Sequence, residues 1–299
     1  MSLRIRRVQT SLTALLGVFV LSVAGALGLT TGVGGSSAAP QAGAELPPPA
    51  ILTAADKASF RRLERSLGGH SGVAVSPLGS GQRVQATGKL RSAVAWSTAK
   101  VPVAMAVIAA GDANTQRGDL RQAITASDNA AAERLWRSLG DARTAATKAT
   151  AQLRAAGDLR TVVQSRRLRH GFTAFGQTSW SLADQTRFTA GMPCVTSAKG
   201  VLALMAQVIR AHRWGLGAVK ADSQFKGGWG PGTRAGIAGG YIDRQMGVLT
   251  LRGKSFAVTI ATAPRDGSHE SGTAHLTRIA RWVVAHVDLR SVSGKARCG

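Results

Sequence analysis

The chain has 299 residues, which is long enough for one large domain or two small ones with a sizeable core. Its net charge of +23 predicts attraction to polyanions such as anionic cell-envelope polymers, or simply reflects arginine-rich composition spread along the chain. No helix-turn-helix, zinc-finger or aromatic nucleic-acid signature accompanies the charge, so specific nucleic-acid binding is not expected. The six histidines show no ligand spacing, and neither a metal nor another cofactor is expected.

Residues 1–38 have the order of features found in a secretory signal. The basic start "RIRR" precedes an apolar run at residues 12–29, and small residues follow. Cleavage after Ala38 would remove the segment, whereas retention would leave a single membrane anchor. Either way the rest of the chain is expected outside the cytoplasm, secreted or anchored, with membrane contact through this segment only. Residues 39–52 are predicted to be a flexible linker.

The first predicted elements follow this linker. Thr53 or Asp56 can cap a helix in which Phe60, Leu63 and Leu67 recur at helical spacing. The stretch "SGVAVSPLGSGQRVQATG" then predicts two short strands joined by a turn.

Residues 97 to about 212 are predicted to be mainly helical. The first of these helices, "STAKVPVAMAVIAA", is almost entirely apolar apart from Ser97 and Lys100, as is typical of a buried helix. A buried lysine is rare unless it is paired or its pKa is lowered. The lysine at the head of this helix is therefore a candidate functional residue.

Strand signals return near the C-terminus. The stretch "YIDRQMGVLTLRGKSFAVTIAT" predicts a hairpin with its turn at "RGK", in which Phe256, Val258 and Ile260 share one face. The last predicted helix has one apolar stripe, made of Leu276, Ile279, Ala280, Val283, Val284 and Val287.

Strands at both ends and helices in the middle indicate an α+β fold. We expect an antiparallel sheet with the N- and C-terminal helices on one face and the mainly helical subdomain, residues 97–212, on the other. The domain is expected to span residues 53–290, with a C-terminal tail at 291–299. Cys194 and Cys298 either pair, which would tie down this tail, or remain free thiols.

Ser97 and Lys100 are three residues apart, so a helix would place their side chains side by side. A neutral lysine there can accept the proton of the serine hydroxyl and create a nucleophile. The spacing alone is weak evidence, because "SQFK" at residues 223–226 has it as well. A plain helix cap and a lysine that reaches the surface are the structural alternatives.

Two further motifs accompany this pair. The "SDN" motif at residues 127–129 begins thirty residues after Ser97 and contains one of only two asparagines in the chain. The "KGG" motif at residues 226–228 opens the second group of strands. A helix cap and a strand followed by a turn are the respective structural alternatives.

With these three motifs, the chain resembles the penicillin-recognising serine enzymes, which comprise class A β-lactamases and D,D-peptidases. The resemblance covers about residues 54–288 and implies the α+β fold of that family. It implies that Ser97 is the acylated nucleophile, Lys100 its base and Ser127 a proton relay. The backbone N–H groups of Ser97 and Trp229 would form the oxyanion hole. The substrate-binding residues that it implies are Asn129, Lys226, Gly228 and Trp229.

The chain departs from this family at the deacylation step. The stretch "TVVQSRRLRHGFTAFGQTSW" has no acidic residue where class A β-lactamases carry the glutamate that activates the deacylating water. The neighbouring carboxylates, Asp158 and Asp184, are interpreted as a turn residue and a helix cap. We therefore expect an acyl-enzyme formed with a β-lactam to persist.

Two more departures concern the cleft. The segment between "STAK" and "SDN" is short for a class A enzyme, which predicts a more open cleft. Gly227 replaces the hydroxyl residue of the usual K-T-G motif, so a donor to the substrate carboxylate is lost. Trp229 either offers a stacking surface or packs at the strand edge. Arg244 either supplements Lys226 or, as we prefer, lies on a solvated strand face.

Together these features predict an extracytoplasmic serine hydrolase that acts through acyl-Ser97 on peptidoglycan or peptide-like amides, with slow or absent hydrolysis of β-lactams. Two alternatives stay open: a non-catalytic binding protein of the cell envelope with the same fold, and a true class A β-lactamase. The sequence lacks a G-x-S-x-G turn around Ser97, which argues against an α/β-hydrolase.

Overall fold

A computed structural model describes residues 50–232 and 240–298. The predicted leader, residues 1–38, and most of the predicted linker, 39–52, lie outside these residues. The helices are α1 (Ala54–Leu67), α2 (Lys100–Ala109), α3 (Arg117–Thr125), α4 (Asn129–Ser138), α5 (Ala142–Ala155), α6 (Leu182–Gly191), α7 (Ala198–Met205) and α8 (His269–His286). The strands are β1 (His70–Pro77), β2 (Gln85–Gly88), β3 (Ser92–Val94), β4 (Ser179–Ser181), β5 (Asp222–Pro231), β6 (Tyr241–Leu251) and β7 (Lys254–Ala263).

Five strands form one antiparallel sheet in the order β2-β1-β7-β6-β5. The predicted hairpin is β6 and β7, which are joined by a turn at Arg252 and Gly253. β5 lies at the edge of the sheet and contacts a 3₁₀ turn, Trp96–Ala99, that precedes α2. β3 and β4 form a separate two-stranded sheet, which the sequence did not predict because each strand has only three residues.

The alternation of side chains along β7 explains the layers of the domain. Phe256, Val258 and Ile260 are fully buried in the core that α1 and α8 form against the sheet. Ala257 and Met246 belong instead to the core that the central helices form on the opposite face. The predicted α+β fold, with terminal helices on one face and the helical part on the other, is confirmed.

The caps of the first helix follow from its sequence. The Thr53 hydroxyl accepts the backbone N–H of Asp56 at 3.1 Å, and the Asp56 carboxylate accepts the backbone N–H of Thr53 at 2.8 Å. This reciprocal pair satisfies donors that would otherwise be left free at the start of α1.

The C-terminal tail is attached to the domain by a disulfide between Cys194 and Cys298. These residues are 104 positions apart in the sequence, so the bond closes a long loop and restricts the unfolded chain. Gly79 and Arg297 form a parallel β-bridge in the same tail. Of the two alternatives for the cysteines, the structure has the paired one.

Among the residues that the structure describes, no single helix is long and apolar enough to cross a membrane. One bent pair of helical segments, Leu182–Cys194 and Ala198–Met205, passes the same criteria in length and composition only. The described residues also contain no group of three or more His, Cys, Asp or Glu side chains placed to hold a metal ion.

Candidate active site

Ser97 lies in the 3₁₀ turn Trp96–Ala99, and Lys100 is the first residue of α2. The turn runs directly into α2, so one helical segment, Trp96–Ala109, holds both residues as expected, and its first turn is wound more tightly than an α-helix. The turn is entered through Trp96, whose φ of +48° is rare for a bulky residue. Strained backbone of this kind is concentrated at functional sites.

A buried network of hydrogen bonds supports this serine turn. The Thr98 hydroxyl donates to the carbonyl oxygen of Ala95 at 2.5 Å and accepts from Gln185 Nε2 at 2.9 Å. The Gln185 side-chain oxygen accepts in turn from Arg244 Nε at 3.1 Å. The guanidinium also donates to the carbonyl oxygens of Ala93, Val94 and Trp180.

Both interpretations of Arg244 from the sequence are wrong. The residue is fully buried rather than on a solvated strand face. Its guanidinium is used inside the domain and is therefore not available to supplement Lys226 in binding a carboxylate. Burial lowers the pKa of Arg244 to about 9.

Lys100 is buried, with 2% of its surface exposed. Its Nζ donates to Asn129 Oδ1 at 2.7 Å, to the carbonyl oxygen of Ser127 and, at 3.4 Å, to Ser127 Oγ. These hydrogen bonds of Lys100 Nζ do not include one to Ser97. Burial lowers the pKa of Lys100 from 10.5 to about 7, and the charge of Asp128 partly opposes this change. About half of the Lys100 side chains are then neutral at pH 7.

Ser127 lies between two lysines. Lys226 Nζ donates to Ser127 Oγ at 2.8 Å, on the same hydroxyl that Lys100 approaches. Burial lowers the pKa of Lys226 well below its usual value, and the positive charge of Lys100 lowers it further. Ser127 has a φ of +60°, which is again unusual for a residue other than glycine. The structure thus brings Lys100, Ser127, Asn129 and Lys226 into one cluster.

The "SDN" motif also begins a helix. The Asp128 side chain accepts the backbone N–H of Ala131 at 2.6 Å and caps α4, whose first residue is Asn129. The capping alternative is therefore correct for Asp128. The cap fixes the start of α4, and with it the position of the Asn129 amide beside Lys100.

Gly228 allows β5 to approach the serine turn closely. A Cβ atom on this residue would lie 2.8 Å from the backbone nitrogen of Ser97 and 2.8 Å from the carbonyl oxygen of Ala95. These are backbone atoms that cannot move aside, so a residue with a side chain would separate β5 from the turn. Trp229 follows directly on this edge strand, and its role as an oxyanion-hole donor stays a prediction.

The Trp214 ring lies next to Gly227, where the usual K-T-G motif has a hydroxyl residue. A Cβ atom on Gly227 would lie 3.1 Å from the outer carbon Cη2 of Trp214. The Trp214 indole thus occupies the space that a larger side chain at position 227 would need. The group next to this position is therefore the apolar edge of an indole and not a hydroxyl donor.

The two carboxylates that flank the acid-free stretch in the sequence have structural roles. Asp158 is fully buried and accepts from Trp180 Nε1 at 2.9 Å and from two backbone N–H groups. Asp184 completes the cap of α6 and forms ion pairs with Arg160 at 2.8 Å and Arg187 at 2.6 Å. Both agree with the predicted turn and cap, and neither is free to activate a water.

Apart from Trp229, the ring side chains next to β5 had no motif that predicted them. Trp229 stacks on His269 with ring centroids 5.2 Å apart, and Trp214 lies 5.8 Å from Trp229. His269 Nδ1 lies 2.5 Å from Oδ1 of the buried Asp243. Burial raises the pKa of Asp243 to about 6, while the contact with His269 acts in the opposite direction. These residues come from distant segments, so no spacing rule could have joined them.

No protein-family model matches the chain, and no curated protein matches it. Solved structures do match it. The extended-spectrum β-lactamase TLA-3 is 14% identical, with a TM-score of 0.60 over 77% of this chain and 97% of its own. A β-lactamase from Chitinophaga pinensis is 15% identical, with a TM-score of 0.59 over 77% and 99%.

An ancestral class A β-lactamase is also similar to this chain. It is 20% identical, with a TM-score of 0.58 over 77% of this chain and 99% of its own. At such identities the likeness establishes the fold: the chain has the fold of class A β-lactamases and is a divergent example of it.

Proposed function

We propose that the protein is an extracytoplasmic serine hydrolase that acts through an acyl-Ser97 intermediate on cell-wall peptide-like amides. The observation that carries this proposal is the buried cluster of Lys100, Ser127 and Lys226 next to the strained turn that holds Ser97. Two buried lysines with lowered pKa values are costly to fold around, and such groups are concentrated at functional sites. The β-lactamase fold supports the proposal by analogy.

In the proposed reaction, Ser97 Oγ attacks the substrate carbonyl carbon and its proton passes to the neutral Lys100 amine. The backbone N–H groups of Ser97 and Trp229 stabilise the negative oxygen that forms. Ser127 then donates its hydroxyl proton to the departing nitrogen. One of the two lysines that contact Ser127 Oγ returns a proton to it. Lys100 must turn from Asn129 toward Ser97 for the first step, and catalytic hydrogen bonds often form only when the substrate is bound.

The extracytoplasmic location rests on two observations. The N-terminal segment has the composition of a secretory signal or anchor. The Cys194–Cys298 disulfide is of a kind that persists in oxidising surroundings outside the cytoplasm. The net charge of +23 suits attachment to anionic polymers of the envelope.

Slow deacylation is part of this proposal. Asp158 and Asp184 are both engaged in structural contacts, so neither of the two carboxylates that flank the acid-free stretch in the sequence is available to activate a water. Incubation of the purified protein with a chromogenic β-lactam, followed by intact-mass measurement over time, tests this. We expect a stoichiometric adduct that persists for many multiples of its formation time. Rapid turnover without adduct would instead identify a true class A β-lactamase.

A non-catalytic binding protein is the second candidate. It is favoured by the missing hydrogen bond between Ser97 and Lys100 and by the indole of Trp214 at the K-T-G position. If a folded sample gives neither adduct nor turnover in the same experiment, this candidate replaces the first.

The rate of adduct formation is expected to depend on pH with a midpoint near 7. The neutral amine of Lys100 is the proposed base, and its pKa is about 7, so protonation at lower pH removes it. Well below pH 7 the rate should fall about tenfold for each pH unit, and it should level off above. Stopped-flow or mass-based rates between about pH 5 and 9 provide the measurement. A flat profile over that range would contradict a role for the Lys100 amine.

A further inference from the structure

Five ring side chains form one surface beside β5, which we call the ring wall: His212, Trp214, Trp229, Tyr241 and His269. Trp229 is at its centre, with its ring centroid 5.2 Å from that of His269 and 5.1 Å from that of His212. Trp214 lies 5.8 Å from Trp229, and Tyr241 lies 6.0 Å from His269. The ring wall is therefore one continuous surface rather than five separate residues.

The ring wall adjoins the proposed acylation site. Trp229 directly follows Gly228, whose backbone packs on the serine turn. The pKa of His212 is lowered by burial and then by the nearby ammonium groups of Lys226 and Lys100. Lys226 also precedes Trp229 on the same strand, so the ring wall and the lysine cluster share β5.

The polar edges of the ring wall are accessible. The side chain of His269 is 39% exposed, and Tyr241 is 38% exposed. Trp214 and Trp229 are both half-buried, so part of each side chain is also exposed.

The buried carboxylate of Asp243 fixes the orientation of the His269 imidazole. Asp243 is fully buried, and its Oδ1 lies 2.5 Å from His269 Nδ1. A carboxylate at this position sets the orientation of the ring and leaves Nε2 as the free polar edge. The ring is thus held in one orientation although its outer edge is exposed.

The ring wall itself holds no side chain dedicated to a charged ligand. A carboxylate would lack the hydroxyl absent at Gly227 and the guanidinium of Arg244, which is used inside the domain. A cation would meet Lys100 and Lys226, and the nearest carboxylate, Asp243, is buried behind an imidazole. The surface instead matches an uncharged ring that has an apolar face and polar groups around its edge.

We propose that the ring wall is a carbohydrate subsite that takes a pyranose ring next to Ser97. Indole faces pack on the C–H face of the sugar, while the indole N–H, imidazole and phenol groups meet its hydroxyls. Combined with the proposed function, on which this step rests, the subsite makes the substrate a peptide-like amide attached to a sugar. The binding of the sugar itself does not depend on acylation.

Ligand-observed NMR with the β-1,4-linked tetramer of N-acetylglucosamine tests the proposal. The wild-type protein is expected to give saturable binding. Trp229→Ala and His269→Ala should each weaken the affinity by about tenfold, because each removes one stacking partner.

A matched control comes from the same helix. His286, the last residue of α8, also stacks on a tryptophan, Trp282, at 4.6 Å, and it lies at the opposite end from His269. His286→Ala should leave sugar affinity unchanged, and so should Ser97→Ala, which abolishes acylation only. Absence of saturable binding, equal loss in His286→Ala, or binding of tetramethylammonium in place of the sugar would overturn the proposal.

Discussion

Replacement of Lys100 by methionine is expected to slow acylation of Ser97 by about 10²- to 10⁴-fold, because it removes the proposed general base. Methionine has a similar length, so the buried space stays filled. The substitution should not lower the free energy of unfolding, because burial lowers the pKa of Lys100 to about 7. Between about pH 7 and pH 10.5 the Lys100 amine is more protonated in the unfolded chain than in the folded protein. Burial of the lysine therefore lowers the free energy of unfolding at neutral pH.

The measurement is the rate of adduct formation with a β-lactam, together with the urea midpoint of each protein. Lys199→Met is the control, since Lys199 is an exposed residue of α7. It should acylate at the wild-type rate. If Lys100→Met acylates as fast as the wild-type protein, Lys100 has no part in the mechanism. The acylation rate of the Lys100→Met variant should also no longer change with pH near pH 7.

Replacement of Gly228 by alanine is expected to reduce acylation by at least about 10²- to 10³-fold, which is the usual effect of losing an oxyanion-hole donor. The added Cβ would lie 2.8 Å from the backbone nitrogen of Ser97 and 2.9 Å from that of Thr98. Either β5 or the serine turn must move, and the two proposed N–H donors then no longer point at one oxygen. Overpacking of this kind also lowers the free energy of unfolding by about 1–3 kcal/mol.

Gly118→Ala in α3 is the matched control for this glycine, because nothing lies within 4 Å of a Cβ at that position. It should acylate normally and be at least as stable as the wild-type protein. Gly227→Ala is the closer comparison, since its Cβ would contact side chains and no backbone atom among its nearest neighbours, the Trp214 ring at 3.1 Å and Gln245 Cγ at 3.7 Å. Wild-type acylation by Gly228→Ala would show that β5 and the serine turn do not form the oxyanion hole together.

The elements that the sequence predicted well are those whose side chains repeat regularly. The alternation of Phe256, Val258 and Ile260 predicted β7, and the apolar stripe predicted α8. The shortest strands were not predicted: β3 and β4 have three residues each, which is too few to show a repeating side-chain pattern. The serine turn was predicted as part of α2 because a 3₁₀ turn and an α-helix share nearly the same spacing over four residues.

The lysine cluster was predictable because three short motifs stand in a fixed order along the chain. Arg244 and the ring wall other than Trp229 were not, and the reasons differ. Arg244 was predicted to be solvent-exposed because it is charged. Its guanidinium is buried because carbonyl and amide oxygens inside the domain accept its hydrogen bonds. The ring wall is assembled from residues near 212, 229, 241 and 269, and only the sheet and α8 bring them together.

The central claim is that Ser97 is the residue that becomes acylated. Peptide mapping by tandem mass spectrometry after incubation with a β-lactam tests it most directly. Ser223 provides an internal control, because it has the same S-x-x-K spacing to Lys226 but is buried in β5. We predict that the acyl group is found on Ser97, is absent in Ser97→Ala and is retained in Ser223→Ala. An acyl group on any other residue, or an adduct that survives in Ser97→Ala, would contradict the account.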